Sequence, residues 1–395
     1  MRVAHVITRM IVGGAQENTL YNCLDLIREH GDEVLLITGP TDGPEGRLLE
    51  AGRAGGLAVE TIDSLRRSIY PTRDLDAYRQ LKKTLKRFKP DVVHTHSAKG
   101  GILGRAAAWS LAKNSPKPIA VIHTVHGAPF HPYQSFPARF IYRQCERWAA
   151  KRCHHLISVA DAMTSLMVDA KVAPREKFTT IYSGMEVEPF LTSAKHRAET
   201  RRQLGISDDA IVVGKIARLF ELKGHEYLID AAPAAVAKHP ELKFLLVGDG
   251  SLRDELQRRI DLLGLKEKFI FTGLVPPESI PKYLSAMDML AHTSLREGLA
   301  RTLPQALISG KPVISYDVDG AREVCITDET GILLPPKSIG LLASAICRLA
   351  ASSQLREMWG RAGRAKFTEQ FRHTVMTSRV RDVYTRFLIE PSSRK

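Results

Sequence analysis

Short, continuous apolar runs recur along the chain, and amphipathic stretches of helical period separate them. The first series is VAHVIT (3–8), EVLLIT (33–38), DVVHTH (91–96), IAVIHT (119–124) and HLISVA (155–160). Runs without polar alternation predict strands covered on both faces, as in parallel sheets. A second series follows: IVVGKIA (211–217), KFLLVG (243–248), KFIFTG (268–273), MDMLAHT (287–293) and KPVISYD (311–317). Alternation of strand and helix in both series predicts an α/β fold, with two doubly wound Rossmann-like domains facing a cleft. The polar stretch LTSAKHRAETRRQLGISDD between the series is the expected linker. The expected organisation is an N-terminal domain over 1–190, a linker over 191–209, a C-terminal domain over 210–371, and a helix and tail over 372–395 able to pack back on the first domain. From about Gln354 to Ile389 the pattern is helical.

A length of 395 residues exceeds one ordinary core and suits this two-domain division. With 44% hydrophobic and 25% charged residues, a disordered or fibrous chain is excluded. No run of about 18 apolar residues occurs, so no membrane-spanning helix is expected. The start, MRVAHVITRMIVGG, has the pattern of a first strand rather than a signal peptide. Five cysteines, few and odd in number, argue against a disulfide framework and for a reducing cytoplasm. Charge changes the picture more. A formal net charge of +14 attracts phosphates on nucleic acid, on anionic lipid or on a small diphosphate.

Candidate chemistry falls at strand ends. The loop Val12-Gly13-Gly14-Ala15-Gln16 follows the first strand and opens a helix. Adjacent glycines let an anion approach helix N-terminal amides, although the same residues also make a plain tight turn. The spacing is not G-x-G-x-x-G, so a dinucleotide site is not indicated. In ARLFELKGHEYLI (217–229), Arg218 and Lys223 lie just past a strand end, where a guanidinium fork and an ammonium suit a diphosphate. Glu297 opens REGLARTLPQAL (296–307), where a carboxylate beside helix amides could bind sugar hydroxyls while the amides hold a phosphate. It could equally only complement the helix dipole. His94 and His96 share one face of a strand end, and His123 and His126 end the next; without a completing Cys or carboxylate cluster, a zinc site is not expected.

These segments together resemble glycosyltransferase family 4 of the GT-B fold, nearest to its cell-surface polysaccharide and lipid-linked oligosaccharide transferases. The matching pieces are GGAQ (13–16), DVVHTHSAKGGILGR (91–105), HTVHG (123–127), ISVA (157–160), ARLFELKGHEYLI, LLVGDGSLR (245–253), FTGLV (271–275), REGLARTLPQAL and GKPVISYDVDGAREV (310–324). The resemblance implies transfer of a hexose or N-acetylhexosamine from a nucleotide sugar, UDP being the expected nucleotide, to a glycan or lipid-linked acceptor. It implies retention of configuration and no metal or other cofactor. It further implies that Arg218 and Lys223 grip the donor diphosphate, and that Glu297, with amides of Gly298, Leu299 and Ala300, touches the sugar. Amides around Thr302 and Leu303 would meet the phosphates and the backbone near Val275 the base. Gly13 and Gly14 would lie under the phosphates, and His126 beside the reacting sugar. The family pattern is E-x7-E, its second Glu meeting the ribose; this chain has Gln305 there, an amide that bonds hydroxyls without charge assistance.

Two rivals share these features. A UDP-HexNAc 2-epimerase-like enzyme would convert the donor without an acceptor. A nucleotide-sugar-binding protein without turnover would bind the donor and release no diphosphate. Two basic faces remain. In AYRQLKKTLKRFKP (77–90), Ala77, Leu81, Leu85 and Phe88 form the expected buried stripe. In PARFIYRQCERWAAKRC (137–153), Arg139, Arg143, Arg147 and Lys151 recur every fourth residue. That row is either a solvated face or a contact with anionic lipid, which would place the protein peripherally on the inner face of the cytoplasmic membrane. No nucleic-acid motif accompanies the charge, so nucleic acid is not an expected partner.

Overall fold

A computed structural model describes residues 1–11, 13–40 and 47–389; Val12 and residues 390–395 of the expected tail lie outside them. Two compact units emerge: Met1–Met185 with Gln370–Lys395, and Glu186–Glu369. The first holds a seven-stranded parallel sheet formed by β1 (Arg2–Ile7), β2 (Glu33–Thr38), β3 (Ala58–Thr61), β4 (Val92–His96), β5 (Ala120–Val125), β6 (His155–Ser158) and β7 (Phe178–Thr180), in the order β3-β2-β1-β4-β5-β6-β7. The second holds β8 (Ile211–Ile216), β9 (Leu242–Val247), β10 (Phe269–Phe271), β11 (Met289–His292), β12 (Val313–Tyr316) and β13 (Gly331–Leu334), in the order β10-β9-β8-β11-β12-β13. Both orders reverse beside the first strand of the unit, between β1 and β4 and between β8 and β11. Open α/β sheets bind ligands outside the carboxyl ends of strands at such a switch point.

The central strands are the continuous apolar runs. Val3, Val6, Val92, Val121 and Ile122 are fully buried in the first unit, as are Val213, Phe244, Leu246 and Ile314 in the second. Strands β3, β7 and β13, not anticipated from the pattern, are all sheet edges. An edge strand is paired on one side only; every position of β3 is exposed or intermediate, whereas β13 is a short apolar run, GILL.

The segment 191–209 is not a linker. It holds the helix Arg197–Gln203, which packs within the second unit. Arg201 is buried, reaching Asp288 Oδ2 at 2.7 Å and the Ala286 carbonyl at 3.1 Å, and Arg197 meets Asp288 Oδ1 at 2.6 Å. Asp288 Oδ2 also accepts the amide of Val212 at the start of β8, so the charged stretch ties down a strand. Buried cations made the segment look solvated. The units therefore divide after Met185 rather than at 190.

The expected C-terminal helix is two helices, Ser353–Phe367 in the second unit and His373–Ile389 in the first. The latter packs against the helix Gly14–Arg28. Asp25 accepts from Thr377 Oγ1 at 2.8 Å and lies 2.8 Å from His373 Nδ1, and Arg381 Nε bonds Asp32 at 3.0 Å.

The row Arg139, Arg143, Arg147 and Lys151 is not a uniform cationic face. In the helix Phe136–Ala150, Arg147 donates to the carbonyls of Ala170 (2.7 Å) and Lys171 (3.0 Å). Arg139 and Arg143 lie over the rings of Phe136 and Phe130, at 5.9 and 6.0 Å. The exposed large side chains of that helix are apolar: Phe136 (71%), Phe140 (50%), Ile141 (58%) and Trp148 (44%).

Candidate active site

In the second unit, the loops leaving β8 and β11 meet at the switch point. Lys223 Nζ lies 2.5 Å from Glu297 Oε1, joining residues 74 apart in sequence, and both side chains are part-exposed. His292 at the end of β11 places Nε2 3.8 Å from the same oxygen. Burial pushes the Glu297 carboxyl up, but His292 and the Lys223 charge overcome it and hold the group at about 2. The site presents a permanent carboxylate whose charge a lysine already balances.

Left-handed backbone flanks the pair: Leu222 (φ 65°) and Gly224 (φ 66°) in the loop after β8, and Asp319 (φ 46°) after β12. At Gly224 a Cβ would stand 2.0 Å from the Thr293 carbonyl oxygen, so only glycine lets the Lys223 loop lie against the end of β11. Leu295 N donates to Leu222 O at 2.8 Å and Thr293 Oγ1 to Gly224 O at 2.5 Å, stitching the loops together. Asp319 Oδ2 accepts the Glu297 amide at 2.6 Å and aims that residue. Such backbone clusters at functional sites.

Behind the pair sits Lys215, a cation inside β8 whose ammonium is buried and donates to Thr293 Oγ1 at 2.8 Å. Burial, with repulsion from Lys223, lowers its pKa to about 7. The unfolded chain keeps a lysine proton to about 10.4. Between these values the unfolded state binds a proton that the folded state does not, so stability rises with pH across the window. Lys215→Met should remove that rise. Urea midpoints of both proteins at about pH 7 and about pH 9.5 test it; equal differences at the two values would refute it.

Other expected residues of this unit are placed as follows. The carbonyl of Arg218 accepts from His225 Nε2 at 3.1 Å, anchoring the start of the β8 loop. Gly298, Leu299 and Ala300 form the turn into the helix Thr302–Ile308. Gly298 O accepts from Gly320 N at 3.0 Å. Leu303 is fully buried and its amide donates to Ala300 O at 3.1 Å. Thr302, which opens the helix, is part-exposed, and Gln305 is part-exposed on the next turn. Val275 follows β10, two strands over from β8, and is not brought to the Lys223–Glu297 pair by any described contact.

In the first unit, Gly13 caps the helix Gly14–Arg28 after β1, and its carbonyl accepts the amides of Gln16 (3.1 Å) and Glu17 (3.0 Å). Gly14 is the first residue of that helix. His126 follows β5 and bonds His96 at 3.0 Å. Lys215, His292 and Asp319 were not singled out from the sequence. Lys215 had a signal, a cation inside the apolar run IVVGKIA; His292 and Asp319 had none without the fold.

Two twisted parallel α/β units, one with a lysine-balanced carboxylate at its switch point, define a nucleotide-sugar-handling class. Residues 12–189 match the family described as Glycosyltransferase Family 4, and residues 196–366 match Glycosyl transferases group 1. The UDP-Gal:alpha-D-GlcNAc-diphosphoundecaprenol alpha-1,3-galactosyltransferase of Escherichia coli is 26% identical over 387 residues, covering 97% of this chain and 96% of that protein. The alpha-D-kanosaminyltransferase of Streptomyces kanamyceticus is 26% identical over 282 residues, covering 70% of this chain and 72% of that protein. The crystal structure of Anabaena HepE in complex with UDP superposes with a TM-score of 0.82 at 23% identity, covering 98% of this chain and 100% of that one. The chain belongs to glycosyltransferase family 4 and has the GT-B fold. It is a glycosyltransferase, which moves a sugar from a nucleotide sugar to an acceptor.

Proposed function

We propose that this glycosyltransferase takes a hexose or N-acetylhexosamine from a UDP-sugar and gives it, with retention, to a glycan or lipid-linked acceptor, without a metal. The Lys223–Glu297 pair supports the reading most directly: one loop contact supplies a cation for the diphosphate and a carboxylate for sugar hydroxyls. Arg218 and Lys223 stabilise the charge that develops as UDP leaves, aided by the amide of Thr302. Glu297 and the amides of Gly298 to Ala300 orient the sugar, and Gln305 meets the ribose. The first unit supplies Gly14 and His126. The relatives named for UDP-galactose and solved with UDP favour uridine over other bases.

Incubation with UDP-galactose, UDP-glucose or UDP-N-acetylglucosamine and a polyprenyl-diphosphate-linked sugar should release UDP and extend the acceptor. Activity should persist in EDTA. Conversion of the donor without acceptor would instead indicate the epimerase reading. Donor binding without UDP release across acceptors would indicate a protein that only binds. Loss in EDTA with recovery on magnesium or manganese would end the metal-independent reading.

We further propose that the helix Phe136–Ala150 meets anionic membrane, with Phe140 and Ile141 entering the interface and Lys151 at its edge. The exposed apolar side chains and the net charge of +14 support this reading. Sedimentation should follow anionic vesicles more than neutral ones, and Phe140→Ser with Ile141→Ser should reduce it. Unchanged sedimentation of that double variant would refute the proposal. Among the described residues, no helix is long and apolar enough to cross a membrane.

A further inference from the structure

Of five histidines gathered at the carboxyl ends of β1, β4 and β5, the function above uses only His126. The others, His5, His94, His96 and His123, are buried. Two of them join His126 in a head-to-tail row. His126 Nε2 lies 3.0 Å from His96 Nδ1, and His96 Nε2 lies 3.0 Å from His5 Nδ1. Ring centroids are 5.3 and 5.2 Å apart, with interplanar angles of 29° and 11°. With these short N···N distances, the rings are joined edge to edge through N–H···N bonds. His94 stands outside the row, with Nδ1 2.5 Å from Tyr384 Oη and Nε2 2.7 Å from Thr124 Oγ1. His123 Nδ1 is likewise taken up by Thr95 Oγ1 at 2.9 Å.

A neutral imidazole carries one N–H, so the row has only two polarities. Burial keeps His5 and His96 neutral, His5 titrating at about 3 and His96 well below the ordinary imidazole range. The inner end decides between the polarities. His5 Nε2 is buried and has no hydrogen-bond partner among the described residues. If protons pointed inward, that nitrogen would carry a buried N–H with no acceptor. If they point outward, it is only a lone pair without a donor, and buried orphan donors are rarer than buried orphan acceptors.

We infer that His5 and His96 form a tautomer lock on His126. His5 Nδ1–H donates to His96 Nε2, His96 Nδ1–H donates to His126 Nε2, and His126 is left with its own proton on Nδ1. His5 and His96 are positioning residues; they touch no substrate. Resting on the assignment of His126 to the donor sugar, the lock fixes which nitrogen of the neutral His126 ring carries the proton. A second proton at its Nε2 would require the whole row to reverse, ending on the orphaned His5 N–H. A metal held by His5, His94 and His96, whose ligand atoms lie within 4.8 Å of one another, would compete for the lone pair with which His96 Nε2 accepts from His5.

Imidazole 15N spectra of the whole protein test the inference, with His126 assigned by loss of its signals in His126→Gln. His126 should show the Nδ1-protonated form from about pH 6 to about pH 8. In His96→Leu it should populate both tautomers. Turnover of His96→Leu should fall about 10–100-fold, as when groups that orient a functional side chain are removed. His96→Asn, whose amide N–H replaces Nδ1–H, should recover most of it. An Nε2-protonated His126 in the wild type would overturn the inference without any variant. So would one equivalent of bound zinc that disappears in His5→Ala. If the Nδ1 form is found but His126→Ala turns over normally, the lock stands and the sugar contact assigned to His126 fails.

Discussion

Lys223→Met and Arg218→Ala should each lower turnover about 10²–10³-fold, the usual cost of removing one preorganised stabiliser of developing charge. Both residues sit in the loop after β8, and Lys223 also holds a carboxylate, at 2.5 Å. Lys223→Met should therefore cost stability as well as turnover. In the wild type the Glu297 carboxyl is held at about 2, below its ordinary value, so its ion pairing stabilises the fold above about pH 4 and is lost as pH falls toward 2. Lys223→Met removes the charge that helps hold it there, and burial and His292 alone remain. Lys223→Met should thus melt lower than the wild type near neutral pH. Adding Glu297→Gln should recover melting temperature without recovering turnover. Steady-state UDP release and thermal melts measure the two effects separately. Near-normal turnover in both single variants would remove the diphosphate assignment.

Arg105→Met should destabilise the first unit by about 3–5 kcal/mol, because it strands a buried carboxylate. Arg105 is wholly buried; its Nη2 lies 2.8 Å from Glu146 Oε2 and its Nε donates to the Gly101 carbonyl at 2.9 Å. The pair joins the helices Ala98–Ala112 and Phe136–Ala150 across the interior. A loss of that size is a large fraction of the 5–15 kcal/mol that stabilises a typical domain. Replacing both partners, Arg105→Met with Glu146→Leu, should recover most of it, since paired apolar groups of similar volume often equal or exceed a buried ion pair. Urea unfolding of the single and double variants checks this. Equal losses in both would mean the interaction carries little coupling and the packing of the Arg105 stem dominates.

Local pattern was enough for the parts that depend on composition alone. The central strands are continuous apolar runs because a parallel strand between two neighbours is covered on both faces, and that requirement is written in consecutive residues. The family motifs were legible for the same reason: REGLARTLPQAL and ARLFELKGHEYLI each keep their chemistry within one strand–loop–helix unit.

Other features depend on what lies opposite in space. Edge strands β3 and β7 have one neighbour and no continuous apolar run, and the apolar run of β13 is only four residues long. The segment 191–209 looked solvated because its arginines are charged, yet Arg201 is buried against Asp288, 87 residues away. The arginine row on the helix Phe136–Ala150 is spaced for one face, but neighbouring carbonyls and rings engage Arg139, Arg143 and Arg147, leaving the apolar side chains outward. The sequence by itself determined the family, the fold class and the residue types of the donor site. Only the tertiary structure decided that Lys223 pairs with Glu297, that Lys215 is buried behind them and that three histidines share one row of hydrogen bonds. Strand register and the meeting of loops from β8 and β11 set those contacts, and partners 30 to 91 residues apart leave no trace in local periodicity.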